Sequence, residues 1–155
     1  MPPLKSELLG KIRIELKGRL ERLARAAMDA HAAATDPDSK AEGKYDTRSL
    51  EASYLAAGQA RQVDELAEAV RIFEAFAPPD FSMDDPIGMG ALVEADIRDE
   101  TSLLLLVPAA GGMILDMEGQ EITLLTPAST LYQNLLGMRA GDYLEDPELL
   151  VVEVS

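Results

Sequence analysis

Four acids, Asp36, Asp38, Glu42 and Asp46, fall within one short segment in which Lys40 and Lys44 are interleaved. Carboxylates gathered this densely are hard oxygen ligands suited to Mg²⁺. That ion keeps several waters and takes only one or two protein carboxylates, so the cluster makes sense where a partner supplies the remaining ligands. The same residues also read as a solvated turn. Ser39-Lys40-Ala41-Glu42 fits a helix capping box, Asp46 can begin a helix, and turn acids serve solubility. The two lysines bring the net charge from Asp36 to Asp46 to −2, and positive charge a few ångströms away opposes recruitment of a divalent cation.

Other chemistries have few residues to work with. There is no cysteine, which excludes disulfide frameworks, thiolate metal sites and cysteine nucleophiles. The one histidine, His31, has no serine nucleophile pattern nearby and reads as a solvated helix residue. Gly88-Met89-Gly90 lacks the rest of a dinucleotide fingerprint and fits a tight turn before a strand.

The acidic segment is flanked by two helical patterns. From Leu4 to about Ala34 there is no proline or turn cluster, and Leu9, Leu16 and Leu23 recur every seven residues with Ile12, Leu20 and Ala27 between them. That is a coiled-coil seam, weakened by roughly 1 kcal/mol at each of Gly10 and Gly18. A second helix, from about Thr47 to Phe76, carries a matching seam of Val63, Leu66, Val70 and Phe73. Two long helices with a short polar connection are expected to fold back as an antiparallel hairpin, an arm projecting roughly 45 Å at about 1.5 Å per residue, with a hairpin folded flat onto the rest of the chain or paired with a second copy as the alternatives.

Beyond Ala77-Pro78-Pro79 the pattern changes to short strand-like runs: Ala91 to Ile97, Ser102 to Val107, Gly112 to Leu115, Glu121 to Leu125 and Leu149 to Val154. Pro127 to Leu136 reads as one short helix, with Thr126 as N-cap, Pro127 as its first residue and Gly137 as its stop. The expectation is α+β: a hairpin over residues 1–77 with its tip at 36–46, and over 78–155 a small antiparallel sheet with one helix packed on it.

Charge follows the same division. The chain has 155 residues and a net charge of −14. Residues 1–76 hold 12 basic against 13 acidic side chains, and residues 77–155 hold 2 against 15. A uniformly basic nucleic-acid binder is excluded, and any contact with nucleic acid must be local. The local candidate is the first helix, where Lys5, Lys11, Arg13, Lys17, Arg19, Arg22 and Arg25 outnumber Glu7, Glu15 and Glu21. The longest strongly apolar run, Leu103 to Val107, is far short of a membrane span, so a soluble, cytoplasmic chain is expected.

Ile122-Thr123-Leu124-Leu125-Thr126-Pro127-Ala128-Ser129-Thr130-Leu131, followed by Leu135-Leu136-Gly137-Met138-Arg139-Ala140-Gly141-Asp142, resembles the strand, Pro-x-Ser turn, short helix and Gly-Asp of the Gre transcript-cleavage factor family. Asp38, Glu42 and Tyr45 fall near its acidic tip, although Glu42 stands four residues after Asp38 where the family has three, and the tip asparagine has no counterpart. The resemblance implies a coiled coil joined to an FKBP-like domain and a monomer whose partner is bacterial RNA polymerase. It implies that the domain docks at the rim of the polymerase's secondary channel and that the coiled coil enters it. Asp38 and Glu42, with Asp36 as a further ligand, would then help hold a Mg²⁺ shared with the polymerase active site, which itself hydrolyses a backtracked transcript. The chain would be an accessory factor and not an enzyme. Lys11, Arg13, Lys17, Arg19, Arg22 and Arg25 are candidates for a basic patch facing the nascent RNA. A channel binder without cleavage activity and an acidic protein-binding adaptor are the alternatives.

Overall fold

Leu103, Leu104, Leu105, Leu106 and Val107 are all buried, as an uninterrupted apolar run must be when its strand is covered on both faces. The computed structural model describes residues 3–35 and 48–155. Two helices come first, α1 (Lys5–Thr35) and α2 (Arg48–Ala75), then β1 (Leu92–Ile97), β2 (Glu100–Leu106), β3 (Ile114–Met117), β4 (Gln120–Leu125), α3 (Thr130–Leu135), β5 (Tyr143–Glu145) and β6 (Glu148–Val154). Both long helices end within a residue or two of the expected bounds. Among the described residues no helix is long and apolar enough to cross a membrane.

The strands form one six-stranded sheet in the order β3-β4-β2-β1-β6-β5. It is mixed, which corrects the expectation of an antiparallel sheet: β2 and β4 run parallel, from Leu103 opposite Ile122 to Leu106 opposite Leu125. The reason is the path after β2. The chain crosses to the sheet edge before forming β3, then returns through Glu118 and Gly119, both at positive φ. This two-residue turn has the sense of twist that suits a hairpin. It places β4 between β3 and β2 and so aligns β4 with β2. Arg98 and Asp99 make the corresponding turn between β1 and β2, again with positive φ. The short edge strand β5 was not expected. Its three residues follow Gly141-Asp142 and pair with β6 across a cis Asp146–Pro147 bond.

The chain divides into two compact units, residues up to Ile12 together with Ala75–Ser155, and Arg13–Glu74. In the first, Val93, Ala95, Leu104, Leu106, Leu125, Leu149, Val151 and Val154 cluster with Tyr132 and Leu135 of α3. Alternate residues Leu92, Leu105, Ile122 and Leu124 are buried as well. Each such side chain contributes about 1.5–3 kcal/mol by leaving water. Leu8, Leu9 and Ile12 of α1 are buried in this unit.

Lys5 secures that first turn of α1. Its Nζ donates to the carbonyl oxygens of Pro79 at 2.6 Å, Gly90 at 3.0 Å and Ser155 at 3.0 Å, and lies 5.0 Å from the Phe81 ring centroid. An ammonium has three N–H donors, and here each meets an acceptor. Burial pulls the Lys5 pKa below its ordinary value, and the charge of Asp80 opposes that shift. Replacing Lys5 with Met keeps the apolar stem but leaves the carbonyls without their shared donor. The expected loss is about 2–4 kcal/mol in urea unfolding, since bonds to a charged group contribute roughly 1.5–3 kcal/mol each and water recovers part of it. A loss below about 0.5 kcal/mol, the range of an ordinary surface change, would contradict this role.

In the second unit Leu16 and Phe73 are buried. Leu20, Leu23 and Ala27 of α1, and Val63, Leu66 and Val70 of α2, are half-buried, while their neighbours on the opposite side of each helix are exposed. Arg13 Nε donates to the Phe73 carbonyl at 2.8 Å, and Lys17 pairs with Glu74 at 3.5 Å. These contacts place residues 13–17 of α1 beside the last turn of α2.

Candidate docking site

The segment from Thr126 to Asp142 combines local hydrogen bonds with ties to Ile87 and Val151. Ser129 N–H donates to the Thr126 carbonyl at 2.9 Å and closes a turn with Pro127 at its second position, where a fixed φ near −65° is favourable. Ser129 is then extended, at φ −79 and ψ 133, and its Oγ accepts from Tyr132 N–H. Ser129 is therefore the N-cap of α3, in place of Thr126. The turn uses up Pro127 and Ala128, so the helix begins three residues later than the sequence pattern implied. Gln133 adds a clamp, with its side-chain amide donating to the Pro127 carbonyl at 2.8 Å.

Gly137 ends the helix as expected, at φ +85. Its N–H donates to the Ile87 carbonyl at 2.8 Å, and Ile87 N–H donates back to Met138 at 2.7 Å. Asp142 then fixes the next turn, its carboxylate accepting from Arg139 N–H at 2.8 Å while its own N–H donates to the Arg139 carbonyl at 2.9 Å. Gly141 N–H donates to Val151 at 2.7 Å and joins the turn to the sheet. At the other end Gly111 lies so close to Thr126 that a Cβ there would stand 2.7 Å from Thr126 Oγ1. The result is a rigid corner that exposes Pro127, Ala128 and Leu136. Within it the side chains of Ser129, Gln133 and Asp142 are engaged with neighbouring backbone groups.

The aromatic residues beyond Pro79 do not line one cleft. Tyr132 is buried in the core with its hydroxyl 3.9 Å from Met89 Sδ, Phe81 carries the Lys5 ammonium, and Tyr143 is exposed on β5. A groove of about 360 Å³ crosses the sheet, lined by Glu94, Thr101, Leu103, Gly119, Gln120, Glu121 and Glu153. Glu94 and Glu153 are direct cross-strand partners beside an irregularity in the β1–β6 register, an arrangement that like charges disfavour. Sequence reading missed this pairing because it requires knowing that β1 and β6 are neighbours. Among the described residues no group of three or more acids or histidines is placed to hold a metal.

The tip residues Asp36, Asp38 and Glu42, with Lys40 and Lys44, lie outside the described residues. The basic candidates on α1 are described and do not form one free patch. Lys11 Nζ donates to the Asp116 carbonyl, Arg13 to that of Phe73, Lys17 pairs with Glu74, and Arg19 pairs with Glu15 at 3.0 Å. Arg22 and Arg25 are exposed on the face away from the α2 seam. His31 is exposed. Lys5, counted in the sequence only as part of the basic excess, proves to be structural.

No protein-family model matches the chain, and no curated protein does. Solved structures do align with it. The crystal structure of the GreA factor homolog 1 (Gfh1) protein of Thermus thermophilus is 23% identical at a TM-score of 0.37, over 92% of this chain and 94% of that one. Thermus aquaticus Gfh1 is 20% identical at a TM-score of 0.34, over 90% and 91% of the two chains. A further structure of the transcription factor Gfh1 is 23% identical at 0.37, over 92% of each.

Proposed function

We propose that this chain is a Gre-like transcription factor that binds RNA polymerase through its secondary channel and stimulates the polymerase to cleave backtracked transcripts. The observation that supports it is the segment from Thr126 to Asp142. Four of the residues there that resemble the Gre signature have local structural roles, with Pro127 in the turn, Ser129 as cap, Gly137 as helix stop and Asp142 as turn anchor. On this reading the FKBP-like globular unit docks on the polymerase, and α1 with α2 form the coiled-coil arm.

The arm serves to carry Asp38 and Glu42, with Asp36 beside them, to the polymerase active site. Their carboxylate oxygens would complete the shell of a Mg²⁺ that the polymerase also ligates, and that ion would supply Lewis-acid activation of water. The chain itself would bind no stable metal and perform no catalysis. Its own contribution would be placement, since a shared site needs ligands placed to within a fraction of an ångström.

A second reading, a channel-binding regulator that competes with Gre factors without cleaving, is favoured by the positive charge of Lys40 and Lys44 within the tip. The engagement of Arg13, Lys17 and Arg19 with the protein itself points the same way, since it leaves less of the stem free for RNA. The test is to incubate the purified protein with a stalled, backtracked polymerase complex and Mg²⁺. Shortened RNA at saturating protein supports cleavage. Unchanged RNA together with displacement of an authentic Gre factor supports the regulator. Neither effect would move the chain to the adaptor class.

A further inference from the structure

The sheet has six strands, and none of them contains a lysine or an arginine. One face is filled by α3 and the core around it, including Val93, Ala95, Leu104 and Val151. Alternate residues point the other way. At one end of that second face Leu92, Leu105 and Leu124 are buried. The first turns of α1 cover them, with Leu8, Leu9 and Ile12 buried, Lys5 reaching the Gly90 and Ser155 carbonyls and Lys11 reaching that of Asp116.

The other end of this face is open. Tyr143 and Leu150, direct partners across β5 and β6, are 54% and 39% exposed, and Val152, beside the shift in the β1–β6 register, is 39% exposed. This apolar strip has a pair of like charges on either side. Glu145 stands opposite Glu148 beyond one border, and Glu94 opposite Glu153 beyond the other, while Asp96 faces Leu150.

We propose that this open half of the sheet is the docking surface for a cationic amphipathic helix of a partner protein. Such a helix lays apolar residues on Tyr143, Leu150 and Val152 and sets a lysine or arginine beside each glutamate pair. Like charges directly opposite one another destabilise a sheet, and here no strand supplies a cation to relieve them, so the missing positive charge must come from outside the sheet. The chain already answers the same need at the covered end, where α1 brings buried leucines and two lysines on one short helical stretch. A sheet buries its faces against a second layer, and α1 supplies that layer over only part of this one. About 14 residues of helix, roughly 21 Å, would cross four or five strands at their spacing of about 4.8 Å. The surface lies on the face away from α3, and the inference does not rest on the role proposed at the polymerase.

Fluorescence anisotropy with the full chain and a labelled amphipathic helical peptide of leucine and lysine tests it, with a scrambled peptide of the same composition as control. The amphipathic peptide should bind at least about ten-fold more tightly than the scrambled one, and Leu150→Ser should remove most of that difference. Glu153→Lys should weaken binding about ten-fold while raising the urea midpoint, because it turns a repulsive cross-strand pair into an attractive one. A residue kept for stability alone could not show that opposition. Asp84→Lys makes the same change in net charge in the loop that Ile87 ties to the corner, and it should leave affinity within about two-fold. Equal binding of the two peptides overturns the proposal, as does the absence of binding. Equal losses in Glu153→Lys and Asp84→Lys do so too, since they would reduce the effect to the overall acidity of the chain.

Discussion

Gly90→Ala is expected to destabilise the protein by roughly 3–5 kcal/mol, a third or more of the stability of a typical domain. Two independent costs meet at this residue. Its φ is +93, a conformation that an L side chain adopts only with strain, and an added Cβ would lie 2.8 Å from Pro78 Cβ, 3.1 Å from Pro79 Cδ and 3.2 Å from Pro78 Cα. Pyrrolidine rings cannot rotate aside as a flexible side chain would. Nor can the glycine backbone retreat, because its N–H donates to the Leu106 carbonyl at 2.8 Å and its own carbonyl accepts from Lys5. Gly112 provides the control. It has φ +86, but a Cβ added there would have nothing within 4 Å, so Gly112→Ala carries only the conformational cost of about 1–2 kcal/mol. Urea unfolding of both variants isolates the clash as the difference, and equal losses would show that the contact with Pro78 does not matter.

The sequence could not indicate this cost, although it did mark the place. Gly88-Met89-Gly90 stands out as a turn before the first strand, and the Ala91 N–H to Gly88 carbonyl bond of 3.1 Å agrees. That Pro78 and Pro79 press against the turn is a fact of tertiary structure. The same limit explains the other differences. Long periodic elements were legible because their signal is repeated many times: α1 and α2 are each about thirty residues, and four of the strands fall nearly where the alternation placed them. The three residues of β5 are too few to show a period. Parallel pairing of β2 with β4 was not legible because strand direction depends on where β3 sits in the sheet, and nothing in β2 or β4 encodes that position. The cap of α3 went to Ser129 because both Thr126 and Ser129 are competent caps, and only the turn hydrogen bond between them decides which one serves.

The site was legible unevenly for a related reason. Residue types identify what a side chain can bind but not what has already bound it. The six basic candidates on α1 looked equivalent in the sequence. The fold commits Arg13 to a backbone carbonyl and Lys17 and Arg19 to acids, whereas Arg22 and Arg25 face solvent. These ion pairs are surface contacts worth at most about 1 kcal/mol each, so a strong competing anion such as a phosphate could still take the cations. Contact with RNA along the stem would then be strongly salt-dependent.

Replacing both Asp38 and Glu42 with alanine is expected to abolish transcript cleavage in a backtracked complex while leaving affinity for RNA polymerase within about three-fold, less than about 1 kcal/mol. The asymmetry follows from the proposed division of labour. Carboxylates that complete a metal shell act on the chemical step, where loss of a ligand costs orders of magnitude. Docking is assigned to the rigid corner from Thr126 to Asp142, far from the tip in sequence. Neutralising Lys40 and Lys44 should act in the opposite sense. With lysine to glutamine at both positions the segment from Asp36 to Asp46 changes from −2 to −4, so the Mg²⁺ concentration for half-maximal cleavage should fall. Measuring cleavage rate against Mg²⁺ for the parent, the alanine pair and the glutamine pair, alongside polymerase affinity, separates the possibilities. If affinity and cleavage collapse together in the alanine pair, the tip is a docking element and the placement argument fails. If the parent does not cleave but the glutamine pair does, the two lysines are what hold the chain in the role of a silent channel binder.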